Sequence, residues 1–254
     1  MEHLEELRRR MFWCLSSFGA ALIAAYSVHA QLVRLLAAPL PTGAPEPVTL
    51  SVAEPFMTSF RVSVYAALAV TIPIVAWHVW AFLAPVVDKG RRRGVATFTL
   101  AGLVLLVGGM AFGYLVALPQ SLAFLTSYDS GLYDIQLRAG ELYRFNALVL
   151  LACGVVFQLP IVLLGLVRFR VLSVAKLRRN RRVGWAAVAV LAVCMPGVDP
   201  VLTAITFAPL LVLYESTVFI AARLERRWRR TDNAATKPAE SGHTRAVVGS
   251  RHAA

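Results

Sequence analysis

The first charged residues of the chain combine carboxylates with arginines at helical spacing. Glu6 precedes Arg9 and Arg10 by three and four residues, and side chains at these intervals lie side by side on a helix. Apolar residues recur along the same segment at Leu4, Leu7, Met11 and Leu15. The pattern predicts an amphipathic helix in which Glu6 either pairs with its own arginines or holds a cationic group from outside.

Polar side chains inside apolar runs are the second place where chemistry is expected, because such groups are costly in a membrane and tend to be functional. Glu215 is the only carboxylate deep in an apolar run. It fits a partner contact or a response to protons, and equally a satisfied structural hydrogen bond. Asp199 stands just before an apolar run, where capping of the following helix explains it.

Other kinds of site find no support in the sequence. Cys14, Cys153 and Cys194 each lie in an apolar run without metal-ligand spacing, which indicates small buried side chains rather than a disulfide framework. No phosphate loop, HExxH cluster or intramembrane Ser/His pair is present. We therefore expect no metal, no cofactor and no enzyme activity.

The elements that carry these residues are membrane helices. Of the 254 residues, 58% are hydrophobic and only 16% are charged, with a mean hydropathy of +0.64. Soluble domains carry about 25% charged residues, and a membrane helix needs about 20 consecutive apolar ones. The apolar runs predict six spans, at residues 11–28, 62–84, 95–118, 147–167, 183–198 and 201–222.

Pro196, Gly197 and Pro200 separate the last two predicted spans into a hairpin. At about 16 residues the fifth helix reaches only roughly 24 Å, less than a hydrocarbon core of about 30 Å. We expect helices five and six to be short, and such a hairpin is a candidate docking or bilayer-thinning site. Five prolines between residues 39 and 58 predict an extended connection there.

The basic residues predict the orientation. On the assumption of six spans, 22 of the 26 lysines and arginines fall on the side of the two termini, and cytoplasmic loops hold this excess. Both termini are therefore expected in the cytoplasm. The polar residues 231–254 read as a disordered tail after a membrane domain at 1–230. The basic residues behind the net charge of +12 act as signals of membrane orientation. No aromatic or Gly-rich pattern accompanies them that would indicate nucleic-acid binding.

Several short motifs occur in order along these spans. His-Leu-x-Glu-Leu-Arg-x-Arg stands complete at residues 3–10. It is followed by Glu-Pro-Phe at 54–56, Phe-Gln-Leu-Pro at 157–160, Met-Pro-Gly-Val-Asp-Pro at 195–200 and Leu-Tyr-Glu at 213–215. With this set, residues 2–228 resemble the TatC family, the multi-spanning subunit of the twin-arginine protein translocase.

The resemblance implies a receptor and scaffold in the bacterial cytoplasmic (inner) membrane, without cofactor. Such a protein binds twin-arginine signal peptides at the cytoplasmic face and gathers single-span TatA and TatB partners. Folded proteins are then exported using the proton-motive force. It also implies a homo-oligomer within a receptor complex, surrounded by membrane lipid.

The resemblance further implies a signal-peptide site at Glu6 and Arg8. Phe82 either lines that site or lies at the membrane interface as a belt aromatic. The family usually carries a second glutamate in the first cytoplasmic loop, where this chain has Arg91. We hypothesise that Asp88, one helical turn earlier, supplies that carboxylate, although it equally serves to offset Lys89 and its neighbours. A divergent paralogue with altered signal preference is also consistent with this departure.

Positions for partner docking, or polar positions in the membrane, are implied in the second half of the chain. They are Gln158, Met195, Pro196, Asp199, Thr203 and Glu215. Many relatives carry glutamate where this chain has Gln158, and a neutral amide cannot titrate. Two rival functions remain, a proton-coupled transporter and an intramembrane enzyme. The transporter would be expected to show two similar halves, and no convincing repeat is present.

Overall fold

Every regular element in the part of the chain that the structure describes is helical. The computed structural model describes residues 2–87, 92–132, 135–168, 171–196 and 199–249, with side chains for 5–79, 96–132, 135–168, 171–196 and 199–225. The helices are α1 (Glu2–Ser27), α2 (His29–Ala37), α3 (Glu54–Val87), α4 (Arg92–Phe112), α5 (Leu118–Ser127), α6 (Ala139–Val156), α7 (Leu159–Arg168), α8 (Val174–Arg179), α9 (Arg181–Val193) and α10 (Pro200–Gly249). A π-helical turn, Gly113–Ala117, joins α4 to α5.

Four helical stretches are long and apolar enough to cross a membrane: Glu54–Val79, Ala96–Ser127, Ala139–Arg168 and Pro200–Glu225. A fifth span results if α1 and α2, which meet at a bend of 73°, are counted together. The chain is therefore an all-α, multi-pass membrane protein. A sixth span would have to be α9, whose 13 residues reach only about 20 Å. The count of six and the cytoplasmic termini stay predictions.

The prediction of two short helices in the hairpin holds for α9 but is wrong for the last helix. The apolar part of α10 alone runs for 26 residues, Pro200–Glu225, and α10 continues beyond it to Gly249. Pro209 does not end it, because neighbouring helices can satisfy the backbone group that a proline frees in a membrane. That residues 231–254 form a disordered tail stays a prediction.

Prolines account for the irregular turns within two spans. Pro119 has no N–H to donate to the carbonyl four residues earlier, and the π-helical turn lies directly before it. Pro160 stands at the start of α7, where its ring cannot continue α6 past Val156. Both predicted spans thus remain single apolar stretches with a local break.

The core lies where α2, α3, α5 and α6 meet the hairpin. Its most buried members include Val62, Leu118, Val149, Cys153 and Leu202. A second cluster joins α9 to α10, and α1 packs along α3 outside both. The α1–α3 contact is what brings the N-terminal segment against the rest of the bundle.

A buried carboxylate joins two loops at the far end of α3. Glu54, the first residue of α3, accepts hydrogen bonds of 3.0 Å from the Leu50 N–H, the Gly140 N–H and Arg138 Nε. Val48 pairs with the same segment, since its N–H donates to Leu137 and its carbonyl accepts from Ala139. We call this arrangement the Glu54 clasp. The connection at residues 38–53 is not helical, as predicted, but it contains several turns rather than one extended stretch, and residues 54–58 belong to α3.

Candidate functional site

Glu6 lies at the contact between α1 and α3. Its Oε1 accepts hydrogen bonds from Arg10 Nη2 at 2.5 Å and Arg10 Nε at 3.1 Å. The Nη1 of Arg10 donates to the backbone carbonyl of His78 in α3, at 3.2 Å. Arg10 therefore fixes the Glu6 carboxylate relative to both helices. The side chain of Glu6 is 33% exposed, so solvent reaches it.

An open groove of about 830 Å³ runs beside this pair. Its described lining residues are Glu5, Glu6, Arg8, Arg9, Met11, Phe12 and Leu15. One end carries charged side chains of both signs, and the other carries exposed apolar ones, Phe12 and Leu15 each being 69% exposed. The groove can therefore hold a segment that is polar at one end and apolar at the other.

The structure describes the other predicted members of the signal-peptide site to different extents. Arg8 is exposed and lines the groove with Glu6. Phe82 lies within α3, beyond the residues whose side chains are described. Asp88 and Arg91 lie outside the described residues altogether. The proposed second carboxylate therefore stays a prediction.

Glu215 is held by two side chains of α9. Its Oε1 accepts a hydrogen bond from Trp185 Nε1 at 2.9 Å, and its Oε2 lies 3.0 Å from Arg181 Nη2. These contacts join α9 to α10 near the basic end of the hairpin. Glu215 therefore links two helices by polar contacts. The sequence allowed this structural role as well as a role in partner contact or proton response.

Asp199 caps α10, as its position in the sequence predicts. Its Oδ1 accepts from the Leu202 N–H at 2.6 Å, and its Oδ2 accepts from the Ser121 hydroxyl of α5 at 2.7 Å. Thr203 donates its hydroxyl to the Asp199 carbonyl at 3.2 Å. Since Asp199 is buried, both bonds form away from water and fix the start of α10 against α5.

The hairpin also bounds a second groove, of about 490 Å³, between α9 and α10. It is lined by Ala189, Ala192, Val193, Asp199, Pro200, Thr203, Ala204 and Phe207. Met195 is not part of this lining, because it is buried in the core with Leu202. Pro196 is partly buried in the turn. Of the predicted docking positions, the structure thus brings Asp199 and Thr203 to one surface.

Gln158 connects α4 to the break between α6 and α7. Its Nε2 donates a hydrogen bond of 2.9 Å to the carbonyl of Gly102. The side chain is partly buried and lies apart from the α9–α10 groove. Gln158 thus links α4 to the α6–α7 break through a hydrogen bond.

Sequence reasoning missed the partners rather than the central residues. Spacing indicated Arg9 or Arg10 beside Glu6, and the His78 carbonyl, 68 residues away, selects Arg10. Ser121 is 78 residues from Asp199, and neither carries a signal of the other. No group of three or more potential metal ligands occurs among the described residues.

Comparison with known proteins matches this architecture to one family. The sequence profile described as Sec-independent protein translocase protein (TatC) matches residues 2–209. The chain is 32% identical over 231 residues to the Sec-independent protein translocase protein TatC of Deinococcus radiodurans, covering 87% of this chain and 84% of that protein. It is 30% identical over 237 residues to TatCd of Bacillus subtilis, covering 92% and 95%.

The fold agrees with a solved structure described as the twin arginine translocase receptor TatC. The two superpose with a TM-score of 0.74 at 25% identity, covering 87% of this chain and 98% of that one. The profile match over residues 2–209 extends from α1 into the last span, and so includes both Glu6 and the hairpin. The predicted resemblance is confirmed, and this chain belongs to the TatC family of protein-translocase subunits, which are not enzymes.

Proposed function

We propose that the chain is the receptor for twin-arginine signal peptides and that Glu6 binds one of their arginines. The observation that supports this most directly is the position of the Glu6 carboxylate, which is partly exposed in a groove that continues into an apolar surface. A carboxylate suits the planar guanidinium fork, since the pair can form parallel charge-assisted hydrogen bonds.

Arg10 already occupies one oxygen of Glu6, so a peptide arginine must share or displace it. Exposed pairs at this helical spacing contribute only about 0.3–0.5 kcal/mol. A hydrogen bond to a charged group contributes about 1.5–3 kcal/mol where it is well formed. The internal pair therefore orients the carboxylate without preventing exchange for a better-placed partner.

The apolar part of the groove fits the rest of a signal peptide. Secretory signals place their basic residues ahead of an apolar stretch of about 7–15 residues. The groove has a similar order, with the charged side chains of Glu5, Glu6, Arg8 and Arg9 followed by Met11, Phe12 and Leu15 on α1. A peptide aligned with α1 would place an arginine at Glu6 and its hydrophobic segment against the apolar side chains.

A second carboxylate from Asp88 and an aromatic contact from Phe82 complete this proposal. Phe82 lies in α3 one turn after His78, and Asp88 is the next residue in the sequence after the end of α3 at Val87. The Arg10–His78 bond brings α1 into contact with α3 at His78. Asp88→Asn should weaken binding of a twin-arginine peptide. Unchanged affinity in that variant would remove Asp88 from the site.

We also propose that the α9–α10 groove docks single-span TatA- or TatB-type helices. Its walls include three alanines and Thr203, and small residues let helices approach closely in a membrane. In this proposal Asp199 positions the groove, Met195 and Pro196 fix its turn, and Glu215 and Gln158 hold the surrounding helices. Assembly into a homo-oligomeric receptor complex and use of the proton-motive force belong to the same proposal.

The docking proposal is tested by filling the groove. Ala204→Trp should reduce co-purification of the single-span partners with the full chain. Leu100→Trp places the same side chain at an exposed position of α4 and should leave co-purification unchanged. Equal recovery of partners with both variants would contradict the groove as the docking site.

The orientation follows from the basic asymmetry, with both termini in the cytoplasm of a bacterium and the Glu54 clasp on the opposite side. Labelling of single cysteines by an impermeant maleimide in intact cells tests it. A cysteine at Pro45, in the loop before α3, should be labelled, and Cys194 and the other two natural cysteines would be replaced in that background.

The receptor proposal is tested by peptide binding to the purified full chain. Wild type should prefer a twin-arginine peptide to its twin-lysine variant, and Glu6→Gln should weaken arginine-peptide binding by about tenfold or more. Glu5→Gln removes the same charge one residue earlier and should have a much smaller effect. Equal binding of both peptides to all three proteins would contradict the proposal and favour the transporter alternative.

A further inference from the structure

A third cavity lies between α7, α8, α9 and α10, away from both grooves already described. It has a volume of about 270 Å³ and an almost entirely apolar wall. Its lining residues are Leu159, Leu163, Leu172, Lys176, Leu177, Asn180, Val183, Gly184, Ala187, Val188 and Tyr214. Nothing in the proposed binding of signal peptides or partner helices uses this space.

The mouth of the cavity is strongly basic. Lys176 of α8 is exposed and contributes to the lining, and Arg179 follows at the spacing that places both on one helix face. Arg178 and Arg182 are exposed close by in sequence. Arg181 differs from them because Glu215 holds it at 3.0 Å.

One wall of the cavity is open toward the surroundings of the bundle. Val183 is 67% exposed, and Ala187, one turn further along α9, is also exposed. Both residues line the cavity. Because α9 is apolar at these positions and belongs to a membrane domain, hydrocarbon chains have access to the cavity from this side.

We propose that this cavity binds one acyl chain of an anionic phospholipid, with the lipid phosphate on Lys176 and Arg179. An apolar wall below a basic mouth is complementary to a molecule with a negative head and a hydrocarbon tail. Basic pockets between membrane helices on the cytoplasmic side bind such headgroups, and each nearby lysine or arginine contributes about 1 kcal/mol.

The two parts of the cavity argue against other occupants. An apolar protein helix would cover the apolar wall and leave the basic mouth without a partner. A soluble anion would use the basic mouth and leave the apolar wall uncovered. A single hydrocarbon chain with a charged head matches both parts.

The experiment measures lipid retention by the full chain in detergent, using native mass spectrometry. Phosphatidylglycerol, phosphatidylcholine with the same chains, and glycerol 3-phosphate are the three probes. We expect saturable binding of one phosphatidylglycerol per chain, and much weaker binding of the other two. Equally strong binding of phosphatidylcholine or glycerol 3-phosphate would overturn the proposal.

Two variants place the lipid in the cavity. Lys176→Gln should weaken phosphatidylglycerol binding about fivefold, while Arg34→Gln, which removes one positive charge from the exposed surface of α2, should not change it. Ala187→Phe should weaken binding by filling the cavity, with unchanged twin-arginine peptide affinity as the check of folding. Equal binding by Lys176→Gln and Arg34→Gln, or by Ala187→Phe and wild type, would contradict the assignment.

Discussion

Glu54 and Glu6 each pair with an arginine at α3, but the two carboxylates differ in burial and in the parts of the chain that they join. Glu54 begins α3, and the His78 carbonyl, which Arg10 contacts beside Glu6, lies about 36 Å further along this helix at 1.5 Å per residue. Glu54 is 7% exposed and accepts bonds from the segments on both sides of a loop contact. Glu6 is 33% exposed, and Arg10, which donates to it, belongs to its own helix.

The difference separates a buried carboxylate that joins two parts of the fold from a partly exposed one that we propose as the recognition site. Removing Glu54 would leave the buried N–H of Gly140 without its acceptor, and such groups are expensive to leave unpaired. The Glu54 carboxylate also raises the pKa of the Arg138 guanidinium above its ordinary value, through their hydrogen bond. Glu6 has solvent and an open groove beside it, so an incoming arginine can reach it.

The largest effect on stability is expected for Glu54→Ala. This variant loses the acceptor for three donors that join residues 48–54 to residues 138–140, so its Tm should fall further than that of any other variant considered. Glu141→Ala removes a carboxylate that is 63% exposed and 3.7 Å from Arg144, and its Tm should not change measurably. If the Glu54 clasp does not stabilise the fold, Glu54→Ala and Glu141→Ala will have the same Tm.

An intermediate effect is expected at Asp199. Asp199→Ala removes the cap of α10, at a cost of about 1 kcal/mol, which corresponds to a fall in Tm of roughly 2–4 °C for a chain of this size. Asp199→Asn keeps an oxygen for the Leu202 N–H and should lose less. If thermal unfolding shows the same loss for both variants, the cap does not explain this residue.

The smallest effect is expected at Glu215. Its partners Trp185 and Arg181 lie on one helix, and the side chains of Glu215 and Arg181 are 31% and 51% exposed. Glu215→Gln should lower the free energy of unfolding by about 0–1 kcal/mol. The difference should shrink in high salt, which screens exposed charges. A loss comparable to that of Glu54→Ala would place Glu215 with the structural carboxylates.

Four of the six predicted spans, at residues 62–84, 95–118, 147–167 and 201–222, overlap the apolar helical stretches of the structure, because long apolar runs have few alternative structures in a membrane. The sequence did not predict the bend between α1 and α2, where no proline or glycine marks the break. There Ser27 donates to the Ala24 carbonyl and a His29 ring nitrogen bonds the Tyr26 carbonyl, and such local bonds compete with the helix. The full length of α10 was also missed, since the charged residues after Ala222 indicated the end of the helix.

The candidate site could be predicted at Glu6 but not in its geometry. The motif at residues 3–10 identified the carboxylate, and helical spacing limited its internal partner to two arginines. Arg10 is held by the backbone carbonyl of His78. Every residue has such a carbonyl, so the side chain at position 78 could not indicate this contact. The Glu54 clasp is similar, because two of its three donors are backbone N–H groups.

The most direct test of the contrast is the affinity of a twin-arginine signal peptide for Glu6→Gln and Glu54→Gln, measured side by side on folded protein. If Glu6 is the recognition carboxylate, Glu6→Gln loses about tenfold or more in affinity with little change in Tm. Glu54→Gln should instead lose thermal stability and keep wild-type affinity below its Tm. Wild-type affinity in Glu6→Gln, or an equal loss of affinity in both variants, would contradict the account.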